Sequence, residues 1–298
     1  METPDVGRSI DLLVLSAGTQ RRHWLVQHLT AGPDTEVHHA FVATQHDSLV
    51  GAAHLISEPA FGTVSACVAV APGSRGQGIG TALANELDLA ARRLRPSLSV
   101  TSTLRDDLEQ GRRFAQRYGL AVTSHSVGWR FDLTGAVGDL AERAARSARQ
   151  AGVRVRRADL VAEEADVLDC IGRSMAGLPL PGRAKQEPDL TQIRRRIPDD
   201  ALVLLAESDA VPYPVGTSII TPQADLADWY TVYTGVVVAH RGQGIAGALK
   251  AAAMLAARDA GAPGLTTHND DTNEAILRTN RRFGMRPSVG FWTLTRYA

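Results

Sequence analysis

The chain of 298 residues predicts an α/β fold built twice, and three observations carry that prediction. Short apolar segments alternate with stretches whose apolar residues recur at helical spacing. Each half holds the same punctuation of strand, arginine–glycine turn and helix. Val64 to Val70 leads into Arg75-Gly76-Gln77-Gly78-Ile79-Gly80, and Thr231 to Val238 leads into Arg241-Gly242-Gln243-Gly244-Ile245-Ala246. Two further landmarks recur in the same order: Arg117-Tyr118-Gly119-Leu120 with Arg282-Phe283-Gly284-Met285, and Ser126-Val127-Gly128 with Ser288-Val289-Gly290. Ordered landmarks with a near-constant separation indicate duplication.

In order, residues 8–16 read as a first strand and Thr19 to Thr30 as a helix. Val37 to Thr44 and Leu49 to Ser57 read as strands joined by the polar turn Gln45-His46-Asp47-Ser48. Val64 to Ala71 feeds the first glycine turn, and Ile79, Leu83, Leu87, Ala90 and Leu94 then form one helical stripe. Leu98 to Thr103 is a strand, Asp107 to Tyr118 a helix, and Leu120 to Leu133 a strand pair around Gly128. These elements make a first domain over residues 1–133. Residues 134–152 read as a linker with an Ala/Arg-rich helix, too poor in large apolar residues to build a core.

The second domain, residues 153–298, repeats the order. Arg154 to Arg157 is a strand and Glu163 to Met175 a helix; a Pro/Gly-rich loop from Leu178 precedes a helix near Asp189 to Ile197. Strands follow at Ala201 to Glu207, Val215 to Thr221 and Trp229 to Val238, then the second turn and its helix. Gly264 to Thr267 is a strand, Asp271 to Phe283 a helix, and Met285 to Arg296 the closing strands.

Composition sets bounds on function. Apolar residues are 44% and charged ones 21%, enough for real cores. Lys plus Arg and Asp plus Glu are both 32, so no excess charge steers the chain to nucleic acid or an anionic membrane. There is no basic-then-apolar start and no apolar run of about 18 residues, which leads us to expect a cytoplasmic protein with no membrane partner, monomeric or homodimeric. Cys67 and Cys170 are the only cysteines and form no metal-ligand spacing, so no metal site is expected and Cys67 reads as a core residue.

The two turns carry the chemistry. The first amides of a helix lack intrahelical partners and sit at the positive end of its dipole, so a glycine turn before a helix seats an anion. Neither turn is followed by Lys-Ser or Lys-Thr, and Thr81 and Gly247 break the dinucleotide spacing. What remains, R-G-Q-G-I-[GA], resembles the coenzyme A pyrophosphate loop of the GCN5-related N-acetyltransferase (GNAT) superfamily, in a tandem layout similar to that of mycothiol synthase.

That resemblance implies two GNAT-like domains, each a mixed, mostly antiparallel sheet flanked by helices, and acetyl-CoA as cofactor. It implies that the pantetheine arm pairs with Val68, Ala69 and Val70, or with Thr234, Gly235 and Val236. The pyrophosphate would lie on Arg75 to Gly80, or on Arg241, Gly242, Gln243, Gly244, Ile245 and Ala246. The reaction implied is direct acetyl transfer to a primary amine of a small molecule, with a non-catalytic acyl-CoA-binding regulator as the alternative. The second half has Asn269, Asn273 and Asn280 where the superfamily's asparagines contact the cofactor and acyl site, which favours the C-terminal domain as catalytic and the first as degenerate. The general-acid tyrosine of many members is absent, since Asn280 and Ala115 stand four residues before Gly284 and Gly119. Asp228 is the candidate base, or a solvated loop carboxylate, with Tyr233 as a polar contact. Asn273 reads equally as a first-turn helix residue.

Overall fold

The computed structural model describes residues 3–18, 37–58, 63–94, 98–135, 139–176, 190–195, 197–223 and 226–298. The elements run α1 (Thr3–Ala17), β1 (Val37–Gln45), β2 (Ser48–Glu58), β3 (Thr63–Val70), α2 (Ile79–Leu94), β4 (Ser99–Arg105), α3 (Glu109–Gln116) and β5 (Ala121–Asp132). There follow α4 (Leu140–Gln150), β6 (Arg154–Ala158), α5 (Glu164–Met175), α6 (Leu190–Arg195), β7 (Leu202–Glu207), β8 (Gly216–Gln223) and β9 (Leu226–Val236). The last are α7 (Ile245–Asp259), β10 (Gly264–Asp270), α8 (Glu274–Arg282) and β11 (Arg286–Arg296). The helix expected at Thr19 to Thr30 and the loop at Leu178 lie outside the described residues.

The chain forms two compact units. Unit 1 is Met1–Gly128, Asn269–Thr272 and Val289–Ala298; unit 2 is Trp129–His268 and Asn273–Ser288. A division of the sequence at residues 133 and 153 therefore differs from the units at their closing strands. The end of β11 belongs to unit 1, where Phe291 to Arg296 pair antiparallel with Arg105 to Val100 of β4. The Thr123 and Thr295 hydroxyls lie 2.9 Å apart, and the Gly290 amide donates to Asp106 Oδ1 at 2.9 Å. Sequence repeats locate a strand in the chain but not the sheet edge it pairs with.

In unit 1 the hydrogen-bonded order is β1-β2-β3-β4-β11-β5; in unit 2 it is β11-β5-β10-β9-β8-β7-β6, with β5 and β11 contributing different residues to each. Most pairings are antiparallel; β3 with β4 and β9 with β10 are parallel. Those parallel ladders are short. β3 and β4 pair only at Thr63–Ser99, Val64–Val100 and Ser65–Thr101, and β9 and β10 only at Trp229–Leu265 and Tyr230–Thr266. Beyond these rungs each pair of strands parts, although the far edge of β3 stays paired to β2 as far as Val70.

Residues 8–16 are helical, not a strand. Ile10, Leu13, Val14 and Ala17 are buried together against Ala52, Cys67 and Ala69, while Leu15 is exposed, which is the burial pattern of a 3.6-residue period. Each of the larger side chains contributes roughly 1.5–3 kcal/mol of burial to holding that helix on the sheet. The strand pair expected around Gly128, and the closing strands from Met285, are single strands. Their glycines serve close approach instead: a Cβ on Gly290 would come within 2.4 Å of the Ser126 carbonyl oxygen.

The α2 stripe packs as expected, with Leu83 and Leu87 buried against Ala53, Leu55 and Val64. The linker helix α4 is a packed element. Leu140 and Ala144 are buried, and Arg143 donates to the carbonyls of Arg282 (2.9 Å) and Phe283 (3.4 Å) and stacks 4.5 Å over the Phe283 ring. Its few apolar residues are supplemented by an arginine stem lying on an aromatic face.

Candidate cofactor cleft

In unit 1, β3 ends at Val70 and the chain turns through Gly76 (φ +79°) and Gly78 (φ +82°) into α2. Both glycines are left-handed, and a Cβ on either would meet nothing within 4 Å. Backbone conformation thus demands glycine, and the space above the turn is open. The first bond of α2 runs from the Ala82 amide to the Gly78 carbonyl at 3.0 Å, so the amides of Gln77 to Gly80 precede the helical ladder. Arg75 Nε donates to the Val70 carbonyl at 3.1 Å, which holds the exposed guanidinium beside the turn.

From this turn a cavity of about 810 Å³ runs into the gap between β3 and β4. Cys67, which packs toward α1, and Val68, which packs toward α2, both line it, so it reaches both faces of the sheet. Val68, Val70, Arg75, Gly76, Gly78 and Gly80, all candidates from the sequence, are among its walls. Ala69 is buried against α1, while Gln77 and Ile79 sit at the start of α2. Tyr118 Oη lies 3.0 Å from Asn85 Oδ1 and donates to the Thr81 carbonyl at 3.3 Å, tying the end of α3 to the first turns of α2.

The carboxylates along the cleft are paired with arginines. Asp107 accepts from Arg105 Nε at 3.0 Å and Nη2 at 2.5 Å. The hydrogen bond from Arg112 pulls the Glu109 pKa down to about 2. Burial works to raise the Asp88 pKa, yet hydrogen bonds from Arg296 and Arg92 outweigh it and hold it below the usual carboxylate range.

The second turn repeats the backbone, with Gly242 at φ +79° and Gly244 at φ +86°. Its surroundings differ. A Cβ on Gly235 would come within 2.5 Å of Tyr233 Oη and 2.4 Å of Ser174 Oγ, because the Tyr233 ring folds along β9 and its hydroxyl lies 2.7 Å from Ser174 Oγ. Arg241 donates to the carbonyls of Val236 (3.2 Å) and Ser174 (2.7 Å). Ala151, at the end of α4, lies 3.8 Å from where a Gly244 Cβ would be. Gln243 is exposed, Ile245 buried and Ala246 half-buried, and Thr234 Oγ1 is 2.9 Å from Ser218 Oγ.

The remaining sequence candidates do not converge. Asp228 is held at both oxygens by Arg130, at 2.6 and 2.9 Å. Asn273 caps α8, its side chain accepting from the Ile276 amide at 3.4 Å. Asn280 is fully buried in that helix, and Asn269 is half-buried in β10 among the residues of unit 1. Burial raises the Tyr233 pKa and moves that of Tyr230, which lies 3.4 Å from His268 Nδ1, up to about 12.

Sequence reasoning missed Lys250. It is 5% exposed, with Nζ 3.6 Å from Met285 Sδ, and burial lowers its pKa to about 8. The duplication could have found it, because its counterpart Ala84 and that of Met285, Leu120, both line the first cleft.

Residues 36–119 match the family model described as the acetyltransferase (GNAT) domain, a span that contains the first turn. The fold is similar to that of a GCN5-related N-acetyltransferase from Sphaerobacter thermophilus, at 17% identity and TM-score 0.68 over 99% of this chain and 94% of that one. It is also similar to a tandem GNAT protein from the clavulanic acid biosynthesis pathway, at 20% identity and TM-score 0.71 over 99% and 95%. A third likeness is to the glucosamine N-acetyltransferase region of a fungal multi-domain β-N-acetylglucosaminidase, at 13% identity and TM-score 0.68 over 98% of this chain and 37% of that one. No curated protein matches the sequence. The chain therefore has a GNAT-type fold, and residues 36–119 are similar to the GNAT acetyltransferase domain. Among the described residues, no helix is long and apolar enough to cross a membrane.

Proposed function

We propose that the protein transfers an acetyl group from acetyl-CoA directly to the primary amine of a small molecule, and that unit 1 holds the cofactor. One observation carries this reading: the cleft that opens from the first glycine turn into the gap between β3 and β4. The sequence favoured the second half, but there Asn273 caps a helix, Asn280 is buried in it, Asn269 lies among the residues of unit 1, and Tyr233 and Ser174 pack against Gly235.

The residues of unit 1 fit the cofactor. Arg75 and the amides of Gln77 to Gly80 suit a diphosphate. The edge of β3 from Ala66 to Val70, facing the gap, offers backbone groups to an extended arm, as an added strand would use them. When bound, acetyl-CoA supplies the activated acyl group. A β3 amide near Val68 is placed to stabilise charge developing on a carbonyl oxygen. An ammonium has no lone pair, and Asp88, Asp107 and Glu109 are tied to arginines, so the amine's proton passes to water. No covalent intermediate on the enzyme is required.

The same paired carboxylates, with Ala115 where a phenol would protonate the thiolate, favour a second reading as a non-catalytic acyl-CoA-binding regulator. Thiol release from acetyl-CoA with a panel of amines separates the two; binding without release on any amine supports the regulator. The unit is tested by paired substitution. Arg75→Ala should raise the acetyl-CoA Kd about tenfold, the size of one charge-assisted contact. Arg241→Ala should leave Kd unchanged and lower the melting temperature by a few degrees. Weakened binding in Arg241→Ala alone would move the cofactor to unit 2.

A further inference from the structure

The edge of β3 that an acyl carrier can follow ends where the parallel ladder begins, at Ser65 opposite Thr101. The cavity does not end there. Val100, one of its walls, pairs with Val64 one rung below that branch point. Leu294 and Arg296, also walls, stand opposite Ser102 and Val100 on β11. Leu87 and Ala91 line the same extension, about 12 and 18 Å along α2 from its first residue at 1.5 Å per residue.

The side walls of this deep end are mostly apolar, with Leu87, Ala91, Val100 and Leu294 beside the single hydroxyl of Ser102. Its floor is Arg296, whose Nη1 donates to Asp88 Oδ1 at 2.6 Å and to the Tyr118 carbonyl at 3.0 Å. The guanidinium is paired with the Asp88 carboxylate, whose other oxygen meets the solvent-exposed Arg92, so the positive charge at the floor itself is met by a carboxylate. Space beyond the reach of the carrier's arm, mostly apolar at the sides and charge-paired at the end, suits the group that the sulfur carries.

We infer that the cleft of unit 1 accepts neutral, straight acyl chains longer than acetyl, and that Ala91 and Leu294 set their length. This rests on the acyl-CoA reading of unit 1. The test is titration calorimetry of the full chain with coenzyme A and its acetyl, butyryl, hexanoyl and succinyl thioesters. Each methylene buried in the deep end should tighten binding about three- to fourfold, so butyryl-CoA should bind about tenfold more tightly than acetyl-CoA. Ala91→Leu should abolish that gain and leave the acetyl-CoA Kd within about twofold. The milder Ala91→Val should remove the gain for hexanoyl first.

Equal or weaker binding of butyryl-CoA than of acetyl-CoA would overturn the inference while leaving the cofactor reading intact. So would a chain-length gain that survives both Ala91 substitutions. Succinyl-CoA binding more tightly than butyryl-CoA would overturn the neutral-chain requirement in favour of Arg296 as a carboxylate receptor. Failure of coenzyme A itself to bind sinks both readings.

Discussion

The two glycine turns share one backbone and differ in what grows around it. Both have two left-handed glycines, an arginine bonded to the preceding strand and a helix to follow. The first opens onto a cleft of about 810 Å³, whereas the strand that feeds the second has Tyr233 and Ser174 packed against Gly235. The difference lies in a few paired positions. Cys67, Ala69 and Ala84 in unit 1 become Tyr233, Gly235 and Lys250 in unit 2. Tyr233 is large enough to lie along β9 and force glycine at 235, and Lys250 reaches Met285 where Ala84 leaves room. A turn motif thus encodes backbone shape, while residues several positions away decide whether anything can enter.

The sharpest way to break this comparison is the same substitution in both turns. Gly78→Val and Gly244→Val impose similar strain, since both positions are left-handed and β-branched residues resist that region. Only the first also sits at the mouth of the cleft between β3 and β4. Calorimetry should show acetyl-CoA affinity reduced more than about 100-fold in Gly78→Val and unchanged in Gly244→Val. Equal losses would mean that the second turn also serves a cofactor.

Lys250 sharpens the comparison through pH. Its native pKa is about 8, below the unfolded value near 10.4. Below pH 8 both states hold the proton and the penalty for burying the charge is constant. Between about pH 8 and 10.4 the native state has released the proton and the unfolded state has not. The unfolded chain then binds more protons, so stability rises with pH, by up to about 3 kcal/mol. Urea unfolding across that window should show the rise in the natural chain and not in Lys250→Met, which should also be the more stable of the two at pH 7. Parallel curves for the two proteins would mean that Lys250 is solvated.

The Tyr233–Gly235 pair can be converted to its unit 1 counterpart. Gly235→Ala alone places a methyl within 2.6 Å of the Tyr233 ring and should cost about 2 kcal/mol. Tyr233→Cys/Gly235→Ala recreates the Cys67–Ala69 pair, and denaturant melts should show that the second change costs markedly less once the ring is gone. Purely additive losses would place the conflict at Ser174 instead.

What was legible in the sequence was local. Glycine with helix-start chemistry located both turns, and helical periodicity located α2, α3, α7 and α8. The segment at Ile10 to Leu15 is too uniformly apolar for its period to be read, and burial of Ile10, Leu13, Val14 and Ala17 against the sheet decided for helix. Gly128 and Gly290 looked like breaks because a glycine's close-approach role depends on a neighbour distant in sequence. Nor could the sequence reveal that Asp228 meets Arg130, or that Arg296 ends beside Asp88, since both contacts depend on which strand edge the chain closes upon. The open cleft itself became visible only when side-chain sizes were seen in place.

The smallest effect tests the residue whose two readings the sequence left equal. Asn273 accepts from the Ile276 amide at the start of α8, satisfying one of the donors that a helix leaves open. Asn273→Ala should cost about 1 kcal/mol in urea unfolding, and Asn273→Asp should keep that stability because a carboxylate caps as well. Neither change should alter acetyl-CoA affinity, because the cleft that suits the cofactor lies in unit 1. Weaker binding in Asn273→Ala at unchanged stability would restore the asparagine as a cofactor contact and give unit 2 a working site.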